Sequence, residues 1–146
     1  MNLIIPMAGM GKRMRPHTLQ IPKPLLKIAG KTIIERIVED IKRSCGKIIE
    51  EVHYVIGDFG TEVEKKLIEI AIGIGAKGYI HYQYEALGTA HAVYCAKEGM
   101  DNEILIAFAD TLFVGDIEIS LEEEAIIWTM KVDNIAPLLA KGDYAP

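Results

Sequence analysis

Acidic residues are missing from the opening of this chain. No Asp or Glu occurs before Glu35, while the first 34 residues hold six of the 16 Lys and Arg. The remainder carries ten bases against all 21 acids, and the net charge is −5. Positive charge confined to one end reads as a local anion site. It excludes a nucleic-acid surface, which needs basic residues over a whole face. Cysteine is scarce as well. Cys45 and Cys95 are the only two, each among apolar positions of helical spacing. So few cysteines argue against a disulfide or a metal pair and for reduced thiols in a cytoplasmic protein. The four histidines, His17, His53, His81 and His91, include no two spaced as a metal pair. No run of 18 apolar residues exists, so no membrane span is expected. No charged region followed by a long apolar stretch opens the chain, so no signal peptide is expected either. Internal repeats and low-complexity tracts are absent. A length of 146 residues with 50% apolar content suits one domain with an ample core.

The chain is organised around its first loop. Leu3-Ile4-Ile5 is a short apolar run that reads as a buried strand. It breaks at Ala8-Gly9-Met10-Gly11, where two glycines let the backbone approach a ligand and turn its N–H groups toward an anion. Lys12, Arg13, Arg15 and Lys23 follow, on a segment stiffened by Pro16, Pro22 and Pro24. Several cations beside a glycine turn suit a polyphosphate better than one phosphate, although the same residues also describe a solvated basic loop. Two familiar phosphate motifs fail. A P-loop would need a glycine at Pro6 and a hydroxyl at Arg13. A dinucleotide fingerprint would need a third glycine at Met14 and a helix straight after it.

Beyond the loop, strands alternate with helices. Leu25 to Gly30 is a short extended piece ending in a turn. Thr32-Ile33-Ile34-Glu35 is a capping box opening a helix that buries Ile33, Ile34, Ile37, Val38 and Ile41. Glu51–Ile56 is a second strand. Thr61-Glu62-Val63-Glu64 reads as another capping box, with a helix burying Val63, Leu67, Ile70, Ala71 and Ile74. Gly78–Gln83 is a third strand, Gly88 and Thr89 open a third helix to about Lys97, and Glu103–Ala109 is a fourth strand. Ala125–Met130 reads as a fifth, with Trp128 packed inside it. The alternation predicts an α/β fold with a mostly parallel sheet covered on both faces.

In such a sheet, ligands bind beyond the carboxyl ends of the strands. Gly9 to Arg13, Gln83 and Asp110 all follow strands. The Gln83 amide offers a donor and an acceptor together, a pair that fits the edge of uracil or thymine. Gly88, before Thr89, leaves backbone free to approach a base. The alternative is an ordinary loop glutamine before a helix-start glycine. Asp110 is placed for Mg²⁺, which takes one or two carboxylates plus phosphate oxygens. It can equally cap a turn with Thr111.

Gly9-x-Gly11-x-Arg13, then Pro16-x-Thr18, then Pro22-Lys23-Pro24-Leu25 resembles the signature of the sugar-1-phosphate nucleotidyltransferases, the NDP-sugar pyrophosphorylases that include glucose-1-phosphate thymidylyl- and uridylyltransferases. Lys12 departs from the small hydroxyl residue common at its position. Gln83-x-x-x-x-Gly88-Thr89-Ala90 is similar to the family's base-recognition segment, and Phe108-Ala109-Asp110 to its metal-aspartate segment, with Ala109 where many members have Gly. The resemblance implies a Rossmann-like three-layer α/β/α nucleotidyltransferase fold, C-terminally truncated. It covers residues 1–132 as the nucleotide-binding part and leaves residues 133–146 as a tail unlike the family.

The implied reaction takes an NTP, dTTP or UTP in preference, and a sugar 1-phosphate to an NDP-sugar and pyrophosphate. It assigns Arg13 and Lys23 to the phosphates as catalytic cations. Ala8, Gly9, Gly11 and Lys12 form the phosphate cradle, Gln83, Gly88 and Thr89 bind the base, and Asp110 holds Mg²⁺. A lysine for the sugar phosphate and a second metal aspartate, which the family carries later, have no counterpart here. An NTP-binding module without turnover and a CTP-dependent transferase acting on phosphocholine are therefore rival expectations. No membrane partner is implied; the sheet end near Ile126, Ile127, Trp128 and Met130 is expected to be covered by a homodimer partner or by the tail from Ile135 to Leu139 docked against it.

Overall fold

The computed structural model describes residues 1–9, 21–112, 115–117, 119 and 124–129. The first strand, β1 (Asn2–Pro6), carries Leu3, Ile4 and Ile5, all fully buried. A short 3-10 turn at Lys23–Leu25 leads into a small antiparallel hairpin of β2 (Lys27–Ile28) and β3 (Lys31–Thr32). Helix α1 (Ile33–Ser44), strand β4 (Glu51–Ile56), helix α2 (Thr61–Gly73), strand β5 (Lys77–Tyr82), helix α3 (Thr89–Cys95), a 3-10 turn at Lys97–Gly99 and strand β6 (Ile104–Ile106) follow in order.

The main sheet runs β5-β4-β1-β6, and every pairing is parallel. Parallel strands cannot be joined by hairpins, so each connection crosses a face of the sheet. Helices α1 and α2 return the chain on one side, packing Ile34, Ile37, Leu67 and Ala71 against Leu3, Ile5, Val52 and Tyr54. Helix α3 returns it on the other, where Ala92 and Ala96 meet Ile4 and Val55. This is the expected three-layer α/β/α arrangement. It explains why Leu3-Ile4-Ile5 of β1 reads as an unbroken apolar run: both faces are covered.

Local chemistry sets the helix starts. Thr32 caps α1 as expected: its Oγ1 accepts from the Glu35 N–H at 3.2 Å, and the Glu35 carboxylate accepts from the Thr32 N–H at 2.7 Å. That backbone bond, with help from the Thr32 hydroxyl and the Lys66 ammonium, lowers the Glu35 pKa to about 2. The second expected capping box does not form. Gly60, at φ +83°, takes the N-cap position and Thr61 is already inside α2, so no side chain caps that helix. The third helix is shorter than expected and ends at Cys95. The fifth strand is corrected too. Residues 125–129 form no strand, and Ile127 and Trp128 are exposed, at 85% and 46%. Among the described residues the sheet ends at β5 and β6, and residues 125–129 pair with neither edge.

Histidines that share no sequence motif meet across the sheet. His53 on β4 is buried, and its Nδ1 lies 2.9 Å from His81 Nε2 on the adjacent strand β5. Its Nε2 lies 3.1 Å from the Glu51 carboxylate, and Tyr79 stacks on its ring. A carboxylate only accepts, so His53 Nε2 carries the proton and His53 Nδ1 accepts from His81. Desolvation, with His53 beside it, holds the His81 pKa below the usual imidazole value. Cys45 is buried and Cys95 half-buried, both as free thiols. Among the described residues no helix is long and apolar enough to cross a membrane.

Candidate active site

The connection side of the sheet changes once. Helices α1 and α2 lie on one face and α3 on the other, so the chain reverses its winding between β1 and β6. At that reversal the loops beyond the carboxyl ends of the strands part, which leaves a crevice suited to a ligand. The crevice exists here: Ala8 and Gly9 after β1, Gln83 after β5, Gly88 and Thr89 at the start of α3, and Phe108 after β6 line one cleft. Five of the ten site residues expected from the sequence therefore meet in one place. Gly11, Lys12 and Arg13 lie outside the described residues.

The segment from Gln83 to Thr89, expected to meet the base, is held in place by its own hydrogen bonds. Gln83 N–H donates to the Ile56 carbonyl at 2.8 Å, which extends the β4–β5 ladder by one bond and fixes where the side chain begins. Gly88 sits at φ +94°, a conformation that a residue with a Cβ rarely adopts, and α3 starts from it. The Gln83 Nε2 donates to the Gly88 carbonyl at 3.1 Å and to His91 Nδ1 at 3.0 Å. The carbonyl can only accept, so the NH₂ end of the amide must face it. Both N–H groups are engaged within the protein, and Oε1 alone is left for a ligand.

Lys23 and Asp110, the remaining two, form an ion pair at 3.2 Å. Pro24, buried beside Lys23 in the 3-10 turn, anchors the backbone that carries the ammonium. Thr111 Oγ1 donates to the other carboxylate oxygen at 3.2 Å, so the local turn contact weighed from the sequence is also present. Both partners of the ion pair are partly exposed, and such pairs contribute about 0–1 kcal/mol. A stronger ligand can displace either partner. Among the described residues no three His, Cys, Asp or Glu side chains gather as a metal cluster. Asp110 nevertheless fits Mg²⁺ as a lone, accessible oxygen donor, because that ion keeps phosphate oxygens and water for most of its shell.

His91 was missed by the sequence reading. It is the third residue of α3, so the first turn of the helix carries it back toward the end of β5. The signal available was a histidine three positions after a helix-opening glycine.

Comparison with known proteins adds the family. Residues 3–125 match the nucleotidyl transferase family model. The chain is 37% identical over 134 residues to a bifunctional protein GlmU of Methanococcus maripaludis, covering 92% of this chain. It spans about 30% of the length of that relative. Among solved structures, a UDP-glucose pyrophosphorylase complexed with UDP-glucose superposes with a TM-score of 0.57 at 25% identity, over 75% of this chain and 45% of that one. A glucose-1-phosphate thymidylyltransferase of Bacillus anthracis shares the fold, with a TM-score of 0.67 at 19% identity over 97% of this chain and 49% of that one. With its Gly9-x-Gly11 sequence, its cleft at the winding reversal and the family match over most of its length, the chain belongs to the nucleotidyl transferase family.

Proposed function

We propose that this chain forms the nucleotide-binding part of an enzyme that transfers a nucleotidyl group from UTP or dTTP to a sugar 1-phosphate, releasing pyrophosphate. The observation that carries the reading is the cleft where Ala8, Gly9, Gln83, Gly88 and Thr89 converge. The similar proteins include one complexed with UDP-glucose, which supports a uracil nucleotide.

Phosphoryl chemistry of this kind needs positioning and charge neutralisation more than covalent help. In this reading Gly9 and Gly11 bring backbone N–H groups to the phosphates, with Ala8 and Lys12 completing the turn. Arg13 and Lys23 neutralise the charge on the transferred phosphate. Gln83, Gly88 and Thr89 hold the base. Asp110 would hold Mg²⁺, which supplies charge neutralisation at the triphosphate when bound. Lys23 then exchanges its Asp110 partner for a phosphate oxygen, so one ion pair keeps both groups oriented before the nucleotide arrives. A second reading, an NTP-binding module without turnover, is favoured by one observation: the chain spans about 30% of the relative's length.

Calorimetric titration with UTP, dTTP, CTP and GTP in Mg²⁺ tests the binding half, and pyrophosphate release with a panel of sugar 1-phosphates tests the transfer. UTP or dTTP should bind most tightly, and Arg13→Ala should weaken binding at least tenfold with the circular dichroism unchanged. Absence of NTP binding would reject both readings. Binding without pyrophosphate release would select the second.

A further inference from the structure

We infer that His91 is a positioning residue: it locks the Gln83 amide with its oxygen outward, and this sets a preference for bases that carry a ring N–H. The inference rests on the nucleotide reading of the cleft. Three atoms carry the argument. The Gly88 carbonyl and His91 Nδ1 each take one N–H of the Gln83 amide, at 3.1 and 3.0 Å. The amide has two such hydrogens and no more, so its donor capacity is filled inside the protein. Because His91 Nδ1 accepts, His91 holds its own proton on Nε2.

An amide held by one partner can turn over. Its NH₂ then points at the ligand, and donor and acceptor exchange places. Two acceptors set apart, one on the loop and one on the helix, remove that freedom, because an inverted amide would aim its oxygen at two lone pairs. What faces the cleft is therefore a fixed acceptor. Uracil and thymine present N3–H to such a group. Cytosine presents a lone pair at the same ring position and meets repulsion there. A site that hydrogen-bonds one partner rejects the analogue lacking the group, since a polar atom that the base covers is then left unpaired. Selection of UTP or dTTP over CTP thus depends on a residue that does not itself line the cleft.

The experiment compares UTP and CTP affinity for the full chain with Mg²⁺ in wild type, His91→Leu and His91→Asn. Leucine fills similar space without an acceptor, whereas asparagine carries Oδ1 near the place of Nδ1. His91→Leu should reduce the UTP-over-CTP preference roughly tenfold, the scale of one hydrogen bond, and His91→Asn should restore most of it. An unchanged preference in His91→Leu would overturn the inference, as would equal losses in both variants, which mark a merely structural role. A wild type that binds nucleotides without favouring UTP over CTP would overturn it while leaving the nucleotide site standing. A wild type that binds none would overturn the site and the inference together.

Discussion

Gly99 has no side chain, and the space where one would begin is filled by the His53 ring. A Cβ built there would overlap Nε2, Cε1 and Cδ2 of that imidazole. The ring cannot retreat: it is buried, hydrogen-bonded at both nitrogens and stacked on Tyr79. The Gly99 carbonyl is also held, accepting from the Asn2 amide at 3.0 Å. Gly99→Ala should therefore destabilise the protein by about 1–3 kcal/mol, the usual cost of overpacking a core. Urea unfolding measures it. In a His53→Ala background the added methyl meets space, so most of the penalty should disappear. A full penalty in that background would remove His53 as the cause. None of this was legible in the sequence, because the contact joins a strand to a turn far along the chain. The same blindness hid the His53–His81 pair, which only the register of β4 and β5 brings together.

Elements were legible where their causes are local. The α1 capping box lies within four residues, so side chain and backbone cannot avoid each other once the helix forms. Thr32→Ala should cost about 1 kcal/mol. The box also has an acid limb. Glu35 is held at about 2 when folded, against an ordinary 4.5. The unfolded chain then binds the proton more readily, so this contribution is complete above pH 4.5 and is lost as pH falls toward 2. Glu35→Gln should flatten that part of the stability profile, read by urea midpoints between pH 5 and pH 2. An identical acid slope in wild type and variant would refute the assignment. The box at Thr61 failed for a reason of the same scale: Gly60 adopts positive φ and begins the helix one residue earlier. The strand expected at 125–130 failed differently. An apolar, β-branched run has strand propensity, but propensity alone does not join a segment to a sheet. Strand identity is thus partly a property of the sheet.

Across the whole molecule, the carboxyl edge was legible because parallel strands and crossover helices force all strand ends to one side. Gly9, Gln83 and Asp110 needed no contact information to be placed there. The direction of the Gln83 amide was not legible, because it depends on where a helix turn carries His91.

β1 has a further consequence, and it concerns time. It is the first strand in the sequence and an inner one in space. Asn2 pairs with Glu51 on one side and with Ile104 on the other. The strand therefore waits for two distant partners, and loop closure must precede the reward of each pairing. Refolding followed by stopped-flow circular dichroism and by pulsed hydrogen exchange should run in milliseconds to seconds. Amides linking β1 to β4 should gain protection before those linking β6 to β1. Microsecond refolding, or β6 protected first, would contradict this order. The strand that begins the chain is finished only when the cleft beside it closes, so the proposed nucleotide site is among the last parts of the molecule to exist.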